Sequence, residues 1–233
     1  MPVVRGCPEP ARRVGSLRLL TAFAYSGVAL LCLRHWGSVT PWADLDFFSG
    51  GFFVITAFLS SYEIRFHYIF DSKEELREAS GLSYDPAAVR WGIMVAVGDL
   101  AVFLDYGHWH LTPALRQPWL QIPGLVVYAC GVIGLAWTDT WLADHFKGAP
   151  NDRRLMTTGP FAIVRHPRYA SLLLGKLGFS LLFGSVLAWI SLLASIFLIR
   201  RRIRLEEIHL VQIFGPSYSR YAGHTARLLP GIY

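Results

Sequence analysis

Apolar residues in this chain come in long runs separated by short polar blocks, the layout of helices crossing a bilayer about 30 Å thick. Five runs stand out, over residues 17–36, 47–62, 89–106, 120–142 and 169–199. The first has Arg5, Arg12, Arg13 and Arg18 before or at its start. A cleaved signal peptide also begins basic, but its apolar core is only about 7–15 residues long. This run is longer and ends in Arg34-His35-Trp36, so a retained helix is expected. The fifth run would reach about 46 Å as one helix, too long for an ordinary span. Gly184-Ser185 near its middle offers a break, which predicts a tight helical hairpin with two short arms. The fourth run carries Gly124, Gly131 and Gly134, and small residues let membrane helices approach closely.

The polar blocks fill in the rest. Residues 71–86 contain Lys73, Glu74, Glu75, Arg77 and Glu78 and predict a short surface helix ending near Gly81. A further helix is expected over residues 201–214, outside the bilayer. With the N-terminus in the cytoplasm and the hairpin returning to its own side, 19 of the 22 Lys and Arg fall on one side. By the positive-inside rule that side is cytoplasmic and holds both termini. The predicted fold is therefore all-α and polytopic, with about four full transmembrane helices, a C-terminal membrane hairpin and a cytoplasmic site.

Composition agrees. The chain has 233 residues, 53% hydrophobic and 16% charged, against roughly 25% charged in a soluble protein. A net charge of +6 could signal nucleic acid, but in such a chain the excess anchors cytoplasmic loops, and no nucleic-acid partner is expected. Cys7, Cys32 and Cys130 share no spacing of a disulfide framework or zinc site. His108-Trp109-His110 supplies two histidines without a third ligand, so no metal is expected, and Trp109 and Trp119 read as interfacial anchors. Asp99 is an intramembrane carboxylate, either functional or close enough to a helix end to reach water.

Chemistry concentrates after the fourth run. Leu155-Met156-Thr157-Thr158-Gly159-Pro160-Phe161 leads to Val164-Arg165-His166-Pro167-Arg168-Tyr169. Beyond the hairpin come Arg200-Arg201-Arg202-Ile203-Arg204-Leu205-Glu206-Glu207, then Phe214-Gly215 and Tyr218 to Tyr221. Pro167 suits the first turn of the re-entering helix, whose free amides favour an anionic group. A hairpin returns its ends to one place, so the carboxylate pair, the histidine and several arginines should meet at the cytoplasmic surface. That set could hold a zwitterionic cofactor. Taken singly, His166 could merely cap a loop, the glutamates could be solvated, and Arg200, Arg201 and Arg204 could bind lipid headgroups.

The ordered combination resembles the isoprenylcysteine carboxyl methyltransferase family, and the related phospholipid N-methyltransferases share much of it. The resemblance covers residues from Leu155 to the end, whereas the helices before it match only as an anonymous set. It implies N-terminal transmembrane helices over 1–145 and a catalytic methyltransferase region over 146–233. It further implies S-adenosylmethionine as cofactor, with Arg154, Leu155, Met156, Gly159 and Phe161 bordering the adenosyl group. His166, Pro167 and Tyr169 would line the methionyl part and the sulfonium. Glu206 would pair with the ammonium, with Glu207 as neighbour and possible substitute, and Arg202 would face the substrate carboxylate. Two departures stand out: Phe161 replaces a frequent tyrosine, and Ile203-Arg204-Leu205 replaces more acidic residues, which puts an isoprenylated protein tail in doubt as acceptor.

The implied activity is methylation of a lipophilic acceptor, a carboxylate ahead of a phospholipid amine, with membrane lipids as surroundings. Two other classes stand beside it. A nicotinamide-dependent membrane reductase would use a different cofactor. A scaffold or transporter would place polar groups near the midplane of several helices, where only Asp99 and Lys176 qualify.

Overall fold

The computed structural model describes residues 86–109, 111–115, 117–146 and 154–231. The first two apolar runs, the segment 71–85 and the N-terminus lie outside these residues. All elements among the described residues are helical. They are α1 (Pro86–Leu104), a π-helical turn (Asp105–Trp109), a 3-10 turn (Pro113–Leu115), α2 (Pro118–Phe146), α3 (Pro160–Ile163), α4 (Pro167–Phe183), α5 (Val186–Phe214) and α6 (Pro216–His224).

The hairpin breaks where the sequence predicts. Gly184 closes α4 in the left-handed conformation at φ 54°, ψ 35°, where a Cβ would be strained. Ser185 then caps α5, its hydroxyl accepting from Leu187 N at 3.2 Å. The arms are not short, however. α4 has 17 residues and runs about 25 Å. The second arm continues unbroken into the segment expected as a separate helix, making α5 29 residues long. No glycine or proline interrupts residues 186–214, so nothing stops the helix at the change from apolar to charged sequence.

The hairpin turn sits at one end of the bundle, because Val186 N donates to Thr112 Oγ1 at 3.1 Å. Glu207 lies near the other end of α5, about 30 Å away along the axis. The 111–115 stretch and the motif residues are therefore at opposite ends.

The tightest contact is α2 against α4, and it is a seam of small residues. A Cβ on Gly178 would come 2.2 Å from Tyr128 N, one on Gly131 2.4 Å from Gly175 N, and one on Gly124 2.6 Å from Leu182 N. These backbones touch because no side chains stand between them. Near the hairpin turn, Phe103 of α1 meets Phe179 and Phe183 of α4 edge-on, with centroids 5.9 and 5.2 Å apart. Deeper along the bundle Lys176 pairs with Asp99, and Ser191 Oγ donates to Asp99 Oδ1 at 2.7 Å. That triad ties α1 to both arms and gives Asp99 a partner, which water access does not require.

The outward faces remain apolar. Trp119, Ile122, Val126 and Ile133 of α2 and Ile190, Leu193 and Phe197 of α5 are all more than half exposed. Soluble monomers rarely expose contiguous patches of this kind. Among the described residues Trp119–Leu142 is long and apolar enough to cross a membrane.

The seam makes two neighbouring glycines unequal. Gly178→Ala drives a methyl into the α2 backbone and should destabilise by about 1–3 kcal/mol. A Cβ on Gly175 meets nothing within 4 Å, so Gly175→Ala should be neutral or gain up to about 1 kcal/mol of helix propensity. Thermal unfolding of both variants in detergent checks this. Equal midpoints would contradict the seam.

Candidate functional site

Two consecutive carboxylates on α5 point different ways, and the site follows from that divergence. Successive residues on a helix are about 100° apart. Glu207 turns toward the loop between α3 and α4. Arg165 reaches its Oε1 from Nε at 3.2 Å and from Nη2 at 3.0 Å. Arg227 contributes Nη2 to Oε2 at 2.8 Å, and His166 Nε2 stands 3.4 Å from Oε1. Burial raises the Glu207 carboxyl, but the bonds from His166, Arg227 and Arg165 outweigh it and hold the group down at about 2.

The third nitrogen of Arg165 is also committed. Its Nη1 donates to Ala222 O at 2.5 Å and to Thr225 O, the carbonyls at the end of α6, where a cation is favoured by the helix dipole. Backbone bonds reinforce the join: Arg165 N donates to Ala226 O at 2.7 Å and His166 N to Arg227 O at 3.0 Å. Tyr221 adds a hydroxyl bond to Phe161 O at 2.6 Å, and burial pushes its pKa up to about 12. The scattered motif pieces thus form one knot joining α3, α4, α5 and α6.

Glu206 faces elsewhere. The Tyr169 hydroxyl lies against both Glu206 and Arg202. Arg202, Glu206 and His209 are spaced i, i+4, i+7 and share one face of α5. Glu206 Oε2 and His209 Nε2 are buried without a hydrogen-bond partner, and so is the Tyr218 hydroxyl. Desolvation by burial, together with the charges of Glu207 and Glu206, raises the Tyr218 hydroxyl, with Arg165 opposing. Of the two carboxylates, only Glu206 has an oxygen left for a ligand.

The structure brings His166, Tyr169, Arg202, Glu206 and Glu207 together. Pro167 opens α4 in its first turn and is buried. Gly159 turns at φ 61° directly under Trp141, where a Cβ would lie 2.2 Å from Nε1. Phe161 sits against the same indole, with centroids 5.7 Å apart. Arg154 is exposed and Leu155 and Met156 half-buried, in an irregular stretch leading into the Gly159 turn.

Sequence reasoning left four contributors out of the site. Arg165 lies in the Arg165-His166-Pro167 motif, where residue order alone gives it no role. Asp139 is fully buried on α2 and takes Arg168 Nε at 3.0 Å; it is an acid inside an apolar run, as Asp99 is, and could have been flagged likewise. His209 was legible from helical spacing after Arg202 and Glu206. Arg227 carried no signal, since only the folded tail brings it to Glu207.

The Glu207 knot has a pH signature. A carboxylate whose folded pKa is depressed stabilises fully above its unfolded value and loses that contribution as pH falls through the folded value. Here the window runs from about 4.5 down to about 2. The loss is on the order of 2–3 kcal/mol, allowing for screening at the half-open Arg227 edge. Thermal midpoints in detergent should therefore fall more steeply across that window for the wild type than for Glu207→Gln. Parallel curves would remove Glu207 as the acid-sensitive tie.

The sequence model of the phospholipid methyltransferase family matches residues 119–217. Over 73 residues the chain is 40% identical to the protein-S-isoprenylcysteine O-methyltransferase of Schizosaccharomyces pombe, covering 30% of each chain. It is 29% identical over 143 residues to a nickel-cobalt-cadmium resistance protein of Alcaligenes xylosoxydans xylosoxydans, covering 61% of this chain and 63% of that one. It is 30% identical over 140 residues to a cobalt-zinc-cadmium resistance protein of Cupriavidus metallidurans, covering 59% and 62%. The chain thus spans somewhat under two thirds of the two resistance proteins and under a third of the methyltransferase. The matched residues 119–217 hold the Arg165 to Tyr169 loop and the Arg202 to His209 face, so it is the part of the chain carrying the site that is similar to the phospholipid methyltransferases.

Proposed function

We propose that this chain is a multi-pass membrane methyltransferase that uses S-adenosylmethionine to methylate a lipophilic acceptor, a carboxylate as in isoprenylcysteine carboxyl methylation. The observation that carries the reading is the row of Arg202, Tyr169 and Glu206, in which Glu206 Oε2 is buried and has no partner. A buried carboxylate oxygen needs a cation or a donor, and the cofactor's ammonium fits it. The names of the two metal-resistance relatives state no reaction, so the reaction is read from the side chains.

In this reading Glu206 binds the ammonium, and His166, Pro167 and Tyr169 line the methionyl part and the sulfonium. Arg154, Leu155, Met156, Gly159 and Phe161 border the adenosyl group. Glu207, fully engaged by Arg165 and Arg227, holds the loop that presents these residues. When bound, S-adenosylmethionine supplies an electrophilic methyl on a positively charged sulfur. Arg202 orients the acceptor carboxylate, which is already ionised and needs no base. Tyr169 keeps Arg202 and Glu206 in fixed relation, so acceptor and cofactor are aligned by one face of α5.

The apolar outer faces of α2 and α5 support a bilayer setting, and the basic residues support both termini in the cytoplasm. The acceptor then enters sideways from lipid and the cofactor from the cytoplasm. A second reading, a phospholipid amine as acceptor, is favoured by the family whose model matches. An amine must lose a proton, and His166, 3.4 Å from Glu207, is the candidate base.

Incubation of purified protein with methyl-labelled cofactor and a membrane lipid extract should label a lipophilic product. Absence of any labelled product and of cofactor binding would sink the methyltransferase reading. Two substitutions choose the acceptor. A guanidinium holds a carboxylate by two parallel bonds, whereas an ammonium is a point charge. Arg202→Lys should therefore cost nearly as much as Arg202→Ala in kcat/KM, on the order of 2–4 kcal/mol, with cofactor affinity intact. A fully active Arg202→Lys enzyme would favour the amine. Glu206→Ala should weaken cofactor binding by about 1.5–3 kcal/mol in calorimetry, and unchanged affinity would remove Glu206 from the site.

A further inference from the structure

We propose that His209 binds the carboxylate of the cofactor's methionyl group, so that α5 clamps an α-amino acid by both of its charges. The inference rests on the methyltransferase reading above and assigns a subsite within it.

His209 follows Glu206 by three residues, and side chains at that spacing are neighbours, with Cβ atoms about 5–6 Å apart. Both carry a buried polar atom with no partner, Oε2 on Glu206 and Nε2 on His209. Buried polar atoms are almost always hydrogen-bonded. Two unmet needs side by side on one helix face therefore call for a ligand that meets both. The needs differ in kind. Glu206 can only accept while ionised, whereas an imidazole can present an N–H. A ligand bearing a cation and an anion on one carbon satisfies the pair, and an α-amino acid end is such a group. Tyr218, a residue only 3% exposed, closes the space from α6, its hydroxyl facing Glu207 first and Glu206 second.

The direction along α5 fits as well. Arg202 lies one turn before Glu206 and His209 one turn after, about 10 Å from Arg202. Acceptor and amino-acid end are thereby kept apart, with Glu206 between two groups that could otherwise compete for one anion. Tyr169 lies against Arg202 and Glu206, while His209 Nε2, one turn further on, has no hydrogen-bond partner. A water molecule could also fill the space, but it would not distinguish ligands with and without a carboxylate.

That distinction is the test. Calorimetry of the purified wild type should show S-adenosylmethionine binding at least tenfold more tightly than decarboxylated S-adenosylmethionine. In His209→Ala the affinity for S-adenosylmethionine should fall about tenfold, while the decarboxylated analogue changes less than twofold, so the preference disappears. His209→Asn, which keeps an N–H donor, should recover part of it. Equal affinity of the wild type for the two ligands overturns the proposal without any variant. Equal weakening of both ligands in His209→Ala, at an unchanged unfolding midpoint, overturns it too. If His209→Ala does not fold, the wild-type comparison and His209→Asn decide. A wild type that binds neither ligand overturns the cofactor reading itself, an outcome distinct from a lost preference.

Discussion

A single carboxylate, Glu207, receives two guanidinium groups and an imidazole in a setting only 13% exposed. Burying that charge alone would be prohibitive, and with one partner it would be marginal. The remaining donors of Arg165 are spent on the carbonyls ending α6, so almost no hydrogen-bonding capacity is left over. Such a network is costly when half made and rigid when complete. Its geometric consequence is that the loop before α4, the far end of α5 and the C-terminal tail have one mutual arrangement. His166 and Tyr169 are thereby held beside Arg202 and Glu206.

The helical frame behind this knot obeys different physics. In lipid, apolar surface gains little by leaving its surroundings, so helices associate by close packing and internal polar bonds. α2 and α4 meet through glycine, with backbones in contact at Gly124, Gly131 and Gly178. Asp99, Lys176 and Ser191 supply the polar tie within the bundle, and Asp139 with Arg168 supplies one near the site. The frame fixes where α4 begins, and the start of α4 fixes where the motif loop can lie.

Much of this was legible in residue order, and the failures are as informative as the successes. The break at Gly184-Ser185, the close approach at the glycines of the fourth run, and the meeting of His166 with the glutamates all follow from local rules. The continuity of α5 does not, because a change in polarity marks no change in the backbone. Polarity tells where a helix lies, whereas only caps, glycine and proline tell where it stops. Arg227 was out of reach for another reason. It lies 20 residues past Glu207 in an irregular tail, and no periodicity connects the two. The choice between Glu206 and Glu207 was likewise open, since adjacent identical side chains carry no label of role.

The fold separates the two by direction and by bonding. A helix turns each successive residue through about 100°, so a Glu-Glu pair at the rim of a bundle cannot do one task twice. One carboxylate must face the neighbouring loop and the other the face shared with Arg202. The two roles are also energetically opposed. A structural carboxylate is best when every lone pair is filled by the protein, as in Glu207, whose pKa is held at about 2. A carboxylate can serve a ligand only if the protein leaves one oxygen unmet, and Oε2 of Glu206 is unmet. Filling that oxygen from within would stabilise the empty protein and weaken any ligand by the same interaction. Placing the fully bonded residue immediately beside the open one resolves the conflict. Glu207 anchors the turn of helix that holds Glu206, and one oxygen of Glu206 stays buried and unpaired.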